Sequence, residues 1–296
     1  MKIAIIIPVY NAEKYILQCL QSVYNQTYKN IEVLIINDCS TDNTIPLINT
    51  FIEKINDSRF RVINHSKNKG VSAARNTGIK TATADYLYFL DSDDYISEDC
   101  IESFITLMMK YNHPDIIIGS AKTVPPKWNL ASIDINTINV PDVIENKKQI
   151  NKYFYKRSYI PVVPWNKMIS RNFLLKNDLY FLEGIVYEDM LWSYYISKKL
   201  NKVAFNKKYT YFYTNNPHSI VHKYGDKEKK SGIIIIKNIL KQIDLFNFHE
   251  IPFVLHITHT FYCQRYGVIT PTIWRYINVI LYLIKCIILP VEKLSK

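Results

Sequence analysis

The sequence predicts an α/β fold in which a mostly parallel central sheet is flanked by helices. Short apolar runs alternate with segments of helical spacing, and this order is typical of a parallel sheet covered by helices. Two runs, Ile3–Val9 and Ile31–Ile36, are apolar over nearly their whole length, as expected of strands buried on both faces. The chain has 296 residues, 48% of them hydrophobic, which suits one large domain or one domain with an appendage.

The first third of the chain is expected to alternate strictly between strands and helices. Apolar side chains recur at helical spacing over residues 13–25, after the first strand. The second strand ends in polar turn and N-cap residues that lead into a helix reaching about residue 55. Phe60–Asn64 alternates as a third strand, and a short helix from Ser72 precedes a fourth strand, Asp85–Leu90.

The order of elements is less regular after the fourth strand. We expect a helix over residues 98–111, a strand over 115–120, a loop or insertion over 121–144, a helix over 145–157, a helix over 190–200, a strand over 204–213, and a mostly helical pattern over 223–296.

Three carboxylates, Asp91, Asp93 and Asp94, come at the end of the fourth strand. Ligands of open α/β sheets bind beyond the carboxyl ends of the strands, so the cluster lies where a ligand is expected. Asp91 and Asp93 can together hold one Mg²⁺ or Mn²⁺ ion, which prefers carboxylate, water and phosphate oxygens. The alternative is a polar turn whose Asp caps the following helix.

Glycine and cysteine usage narrows the function further. The chain contains only 7 Gly, and it has neither of two glycine-rich phosphate-binding motifs, G-x-G-x-x-G and G-x-x-x-x-G-K-S/T. A bound phosphate would therefore have to be neutralised by a metal or by Lys and Arg side chains. The five Cys are scattered without metal-ligand spacing, which favours a reduced, cytosolic setting. We expect no signal peptide, because Met1 and Lys2 run directly into the first strand.

The net charge of +11 comes from the C-terminal third of the chain. Residues 1–197 hold 21 Lys and Arg against 21 Asp and Glu, whereas residues 198–296 hold 16 against 5. This bias indicates an anionic partner, either nucleic acid or a membrane surface, unless it is only a solvated lysine-rich face. Ile277–Leu289 has the pattern of an interfacial membrane helix or of a helix packed on the main domain.

Several blocks, taken in order, resemble the family 2 glycosyltransferases of bacterial surface-polysaccharide synthesis. They are Ile5–Asn11, Ile36–Asp42, Asn68–Asn76, Phe89–Asp94, and Trp165–Lys167 followed by Tyr187–Asp189. The resemblance covers about residues 3–222. It implies a GT-A catalytic domain over residues 1–222, with a nucleotide-sugar-binding half (1–120), an acceptor half (121–222), and a basic helical extension (223–296).

The resemblance also implies a donor-binding set: Pro8, Tyr10, Asp38, Arg75, Asp91 and Ser92. A Tyr ring can stack on a base, and an Asp can accept the imide N–H of uracil. An Arg beside a diphosphate makes charge-assisted, often bidentate bonds. By themselves these residues could equally be strand-end, N-cap and surface positions.

For catalysis, the resemblance implies that Asp189 is the general base, with Glu188 beside it. Both lie near the start of a helix, where the dipole favours carboxylates and where they could also have no chemical role. Asp93 is implied as the direct metal ligand and Asp91 as a contact through water. Residues Tyr211–His222 resemble the family's closing segment, but Thr214 stands where the family usually has an Arg. Ser219 and His222 remain candidate site residues in this segment, and His222 could bind the metal or a phosphate.

The function implied is a metal-dependent, inverting transfer of a sugar from a nucleotide donor, expected to be a UDP-sugar. The acceptor would be a hydroxyl of a lipid-linked or lipopolysaccharide or capsule glycan, at the inner face of the cytoplasmic membrane. One alternative is a membrane scaffold that kept the fold and lost catalytic activity. Another is a nucleic-acid-binding protein, which is disfavoured because the spacing of the basic residues matches no known nucleic-acid-binding module. A sugar-1-phosphate nucleotidylyltransferase would need a glycine-rich N-terminal loop.

Overall fold

The computed structural model describes residues 1–125, 133–137, 140–155, 161–216, 225–243, 250 and 254. The described strands are β1 Ile3–Val9, β2 Ile31–Asn37, β3 Phe60–Asn64, β4 Tyr86–Phe89, β5 Tyr95–Ile96, β6 Ile116–Val124, β7 Val143–Ile144, β8 Lys167–Ser170 and β9 Val203–Thr214. The described helices are α1 Ile16–Tyr24, α2 Thr44–Ile55, α3 Val71–Thr81, α4 Cys100–Lys110, α5 Lys147–Tyr155, α6 Arg171–Lys176, α7 Glu188–Lys199 and α8 Asp226–Leu240, with a 3-10 turn at Ile135–Thr137.

One sheet holds all the described strands, in the order β3-β2-β1-β4-β8-β6-β9-β5, with β7 paired to β9. The first four strands are parallel, which confirms the α/β prediction for the first half of the chain. Beyond β4 the sheet is mixed, since β8 is antiparallel to both β4 and β6 whereas β6 and β9 are parallel. The sequence did not predict β8, which has only four residues and begins with a Lys.

The side chains of β1 alternate between two hydrophobic layers. Ile3, Ile5 and Ile7 pack with residues of α1, α2 and α4 on one face. Ala4 and Ile6 pack with residues of α3, α5, α6, α7 and α8 on the other. Burial on both faces explains why this strand is apolar throughout, and it leaves the carboxyl edge of the sheet as the place for polar chemistry.

Helix α8 packs against α7 and belongs to the second of these layers. Ile235 and Ile239 are fully buried there, and the Ser231 hydroxyl accepts a 3.1 Å hydrogen bond from the Val186 N–H. Glu250 is buried as well and accepts a hydrogen bond from the Tyr194 hydroxyl. The first described part of the predicted basic extension is therefore packed on α7, while the predicted division into two halves and an extension, with its boundary at residue 222, stays a prediction.

None of the described helices is long and apolar enough to cross a membrane. The amphipathic helix expected over Ile277–Leu289 lies outside the described residues, as do Ser219 and His222. Their predicted roles are unchanged by the structure.

Candidate active site

The candidate site forms where the carboxyl ends of β1, β2 and β4 meet. In the parallel register Val9 pairs with Asn37, and Ile6 pairs with Phe89. The polar residues that follow these strands therefore emerge at one edge of the sheet. Tyr10, Asp38 and the Asp91–Asp94 cluster are brought together here, as the sequence predicted.

Tyr10 is presented to solvent by a fixed turn. Its neighbour Asn11 has a left-handed backbone, with φ of 51°, and its side-chain oxygen accepts a 2.8 Å hydrogen bond from the Thr41 N–H. The Asn11 N–H donates to the Ser40 hydroxyl at 3.1 Å. These bonds join the turns after β1 and β2, and the Tyr10 side chain stays 49% exposed, so its ring is free to stack on a ligand. Pro8 is buried within β1.

Asp38 holds the loop that leads into α3. Its carboxylate accepts hydrogen bonds from the N–H groups of Lys69 at 2.9 Å and Gly70 at 2.7 Å, and it contacts His65 Nδ1 at 2.7 Å. The other ring nitrogen of His65 lies 2.9 Å from the Thr77 hydroxyl. A carboxylate has about four acceptor positions, of which these contacts use three; only 4% of the Asp38 side chain is exposed, so a base N–H could reach it only over a small area. That base contact stays a prediction.

Arg75 connects the strand-end carboxylates to α7. Its guanidinium lies 3.0 Å from Asp91 Oδ1 and 2.6 Å from Glu188 Oε1, and it sits over the Phe181 ring. The side chain is almost completely buried, and its Nε has no hydrogen-bond partner. The predicted contact to the donor is untested, but the structure reveals a linking role that the sequence could not show.

The three carboxylates after β4 have different environments. Asp94 is buried and accepts bonds from the Tyr211 hydroxyl at 2.5 Å and the Thr214 N–H at 2.7 Å, so it ties this turn to β9. Asp93 accepts a 3.0 Å bond from the Asn216 side chain, whereas Asp91 keeps 25% of its side chain exposed. Ser92, between them, is half-buried.

Asp91 and Asp93 fit a hard divalent cation. Burial, and then the charge of Asp91, raises the pKa of Asp93, and a cation would relieve both effects. Carboxylate oxygens are the ligands that Mg²⁺ and Mn²⁺ prefer. Within the described residues no three His, Cys, Asp or Glu side chains form a metal cluster, and the further predicted ligand, His222, lies outside those residues.

Glu188 and Asp189 occupy the first turn of α7. The residue before them, Tyr187, has a left-handed backbone with φ of 60°, which is strained for a non-glycine residue and typical of functional sites. Glu188 is bound by Arg75, whereas the described bond of the Asp189 carboxylate is from the Met190 N–H at 2.9 Å. Burial and the nearby Glu188 raise the pKa of Asp189 to about 7, against the opposing charges of Arg75 and Lys167.

A pKa near 7 suits a general base at neutral pH. Of the two carboxylates, Asp189 is the one that Arg75 does not neutralise directly. Glu188 therefore holds Arg75, and the role of Asp189 as the general base stays a prediction.

Trp165 and Asn166, from the Trp165–Lys167 block, join neighbouring elements close to the site. Trp165 stacks on Tyr211, with 4.6 Å between ring centroids. Asn166, with φ of 56°, accepts from the Tyr88 hydroxyl and donates to the Ser120 carbonyl, joining β4 to β6. The sequence block identified these residues but not their roles, because each role depends on contacts with distant strands.

Comparison with known proteins agrees with this geometry. A family model described as "Glycosyl transferase family 2" matches residues 4–176. Glycosyltransferase GlyA of Streptococcus pneumoniae serotype 4 is 30% identical over 230 residues, which make up 76% of this chain and 32% of GlyA.

Two solved structures show the same fold. S. aureus TarS in complex with UDP-GlcNAc has a TM-score of 0.69 at 23% identity, covering 90% of this chain and 73% of that one. A mannosyltransferase of Pyrobaculum calidifontis, in complex with GDP-Man and Mn²⁺, has a TM-score of 0.58 at 13% identity, covering 95% and 80%. These similarities show the GT-A fold, and the family model covers more than half of the sequence. The chain belongs to glycosyl transferase family 2.

Proposed function

We propose that this protein transfers a sugar from a UDP-sugar to an acceptor hydroxyl, with Asp189 as the general base. The observation that carries the proposal is the double ion pair of Arg75, which places the Asp91 carboxylate and the start of α7 on either side of one guanidinium. Asp91, a candidate for stabilising the leaving group, and Asp189, the candidate base, therefore lie close to the same guanidinium.

In this mechanism the acceptor oxygen attacks the anomeric carbon as Asp189 takes its proton. The bond to the nucleoside diphosphate breaks on the opposite face of the sugar, so the configuration is inverted. Tyr10 holds the base by stacking, and Arg75 keeps Asp91 and Glu188 in place. A divalent cation, held by Asp93 directly and by Asp91 through water, would neutralise the departing diphosphate.

The donor and the cation are supported by the structural neighbours. TarS was solved with UDP-GlcNAc and with UDP, and the P. calidifontis enzyme with GDP-Man and Mn²⁺. An Asp38 carboxylate with one acceptor position left is compatible with the imide N–H of uracil. These points favour a uridine nucleotide and leave the identity of the sugar to a screen.

Tyr10→Ala should weaken UDP binding without unfolding the protein. The ring is half exposed and available for stacking, and base–aromatic stacking contributes about 1–3 kcal/mol, roughly 5- to 150-fold in Kd. Isothermal titration of UDP with Mn²⁺ measures this loss. Met109→Ala, which removes a still more exposed apolar side chain on α4, 63% against 49% for Tyr10, should bind as the parent does. Equal Kd values for the Tyr10 variant and the parent would exclude the stacking role.

For the acceptor, we propose a lipid-linked or surface glycan at an anionic membrane. The support is the basic excess of residues 198–296 and the amphipathic pattern of Ile277–Leu289. The full chain should sediment with anionic liposomes at low salt and be partly released at high salt. If it stays in the supernatant at low salt, the membrane part of the proposal is wrong.

A further inference from the structure

Three consecutive backbone carbonyls in front of β8 are each bound by a side chain. The Lys167 ammonium donates to the carbonyl of Pro161 at 2.5 Å and also to that of Val163. The Ser193 hydroxyl donates to the carbonyl between them, that of Val162. The donors belong to β8 and α7, so this loop segment, residues 161–163, is fastened to two different elements.

The segment contacts α7 at Ser193, one turn away from Asp189. Asp189 and Ser193 are four residues apart on that helix, and residues with this spacing lie on the same face. The side chains of Val162 and Val163 stay partly exposed. Val163 also packs against the layer that contains Trp165 and Tyr211, so the segment connects that layer to α7 one turn from the carboxylate.

Lys167 is an unusual residue for this position. Its side chain is 3% exposed, and burying an ammonium group is costly unless it is hydrogen-bonded and paired with a charge. Burial lowers the pKa of Lys167 to about 7, and the charge of Asp189 opposes that change. The charged groups that act on Asp189 are Glu188, Arg75 and Lys167.

We propose that Lys167 is a positioning residue for sugar transfer, which holds residues 161–163 as the acceptor-side wall of the cleft and acts on Asp189 through its positive charge. The proposal rests on the function proposed above. It adds the part of the site that would contact a neutral acceptor. The apolar side chains of Val162 and Val163 would pack against one face of the acceptor sugar, next to the base that takes the proton.

The chain provides a matched control for the test. Lys147 is a half-buried lysine whose ammonium likewise donates to two backbone carbonyls, those of Ser197 and Leu200, at 2.7 and 3.0 Å. These carbonyls lie at the far end of α7 from Asp189. Lys167→Met and Lys147→Met thus remove the same kind of interaction, and only the first acts on the proposed wall.

Hydrogen exchange measures the wall without any substrate. In Lys167→Met, and more weakly in Ser193→Ala, amide exchange at residues 162–166 should be faster than in the parent. In Lys147→Met the faster exchange should instead be confined to the end of α7. Unchanged exchange at 162–166 in both Lys167→Met and Ser193→Ala would overturn the proposal. If Lys167→Met does not fold, Ser193→Ala decides this part alone.

The pH profile separates positioning from a purely structural role. With water as acceptor, hydrolysis of the UDP-sugar identified by screening should rise with pH as Asp189 ionises. Lys167 is charged below pH 7 and lowers the pKa of Asp189 there, so in Lys167→Met the lower part of the rising limb should move to higher pH. It should not move in Ser193→Ala or Lys147→Met. A limb that stays in place in Lys167→Met contradicts the electrostatic part.

The two proposals fail in different ways. A parent protein that hydrolyses no nucleotide sugar refutes the proposed function, while the exchange data still decide whether the wall exists. A parent that hydrolyses its donor, with Lys167→Met identical to it in exchange and pH profile, refutes the role of Lys167 alone.

Discussion

Asp189→Asn should lower sugar transfer by about 10²- to 10⁴-fold, the usual contribution of a general base. Asn keeps the size of the side chain but cannot take the acceptor proton. UDP binding should be nearly unchanged, because the predicted donor residues all belong to the first 92 residues, and Arg75 keeps its ion pairs with Asp91 and Glu188. Asp178→Asn, at an exposed carboxylate of the same half, should behave as the parent. Near-normal transfer by Asp189→Asn would assign the base to another group, Glu188 first.

The same substitution should change stability with pH in a defined direction. The pKa of Asp189 in the folded protein, about 7, lies above the ordinary value because of burial. Between the two values the unfolded chain loses this proton while the folded protein keeps it, so stability falls as pH rises. The Asn variant avoids this loss. Its melting temperature should exceed that of the parent at pH 8, and the difference should vanish near pH 4.

Asp93→Asn should reduce transfer to the detection limit. EDTA should have the same effect on the parent protein, and addition of Mn²⁺ or Mg²⁺ should restore the activity of the EDTA-treated parent. The reason is that Asp93 would hold the cation directly, and an amide is a poorer ligand for a hard cation than a carboxylate. Titration of Mn²⁺ in the presence of UDP gives a readout independent of turnover.

Asp85→Asn is the matched control, since Asp85 is an exposed carboxylate at the opposite end of β4 whose side chain accepts a bond from the Lys2 N–H. It should leave Mn²⁺ binding and transfer intact. Full activity of the parent in EDTA would refute the metal-dependent mechanism.

The parts of the fold that could be predicted from the sequence are those with strong local patterns. The fully buried strands β1 and β2 are apolar over nearly their whole length, and β3 alternates, so their positions agree with the prediction. Helix α3 was expected from Ser72 through Asn76 but reaches Thr81. Gly78 lies within it, and a Cβ at that position would clash with Ile6, so the glycine allows this part of the helix to pack closely on β1.

The second half of the sheet could not be predicted in the same way. Strands β5 and β7 have two residues each and exist because β9 pairs with them. The position of β8 depends on neighbours on both sides that are distant in sequence, β4 and β6. Such elements have almost no periodic signal, and tertiary pairing alone determines them.

The candidate site shows the same division. Strand-end carboxylates could be placed from the sequence, because the carboxyl ends of parallel strands share one edge. The ion pairs of Arg75 could not, since Arg75 and Glu188 are 113 residues apart. Asp38 was expected to face the base, yet most of its acceptor capacity serves the loop before α3. Long-range hydrogen bonds of this kind become visible only in three dimensions.

Release of free nucleotide from a panel of nucleotide sugars tests the central claim most directly. We expect the parent protein with Mn²⁺ to release UDP from at least one UDP-sugar, and to do so faster when an acceptor glycan is added. Asp189→Asn should bind the same donor and release little UDP. Release of no nucleotide from any donor by the folded parent, or equal release by Asp189→Asn, would contradict the account.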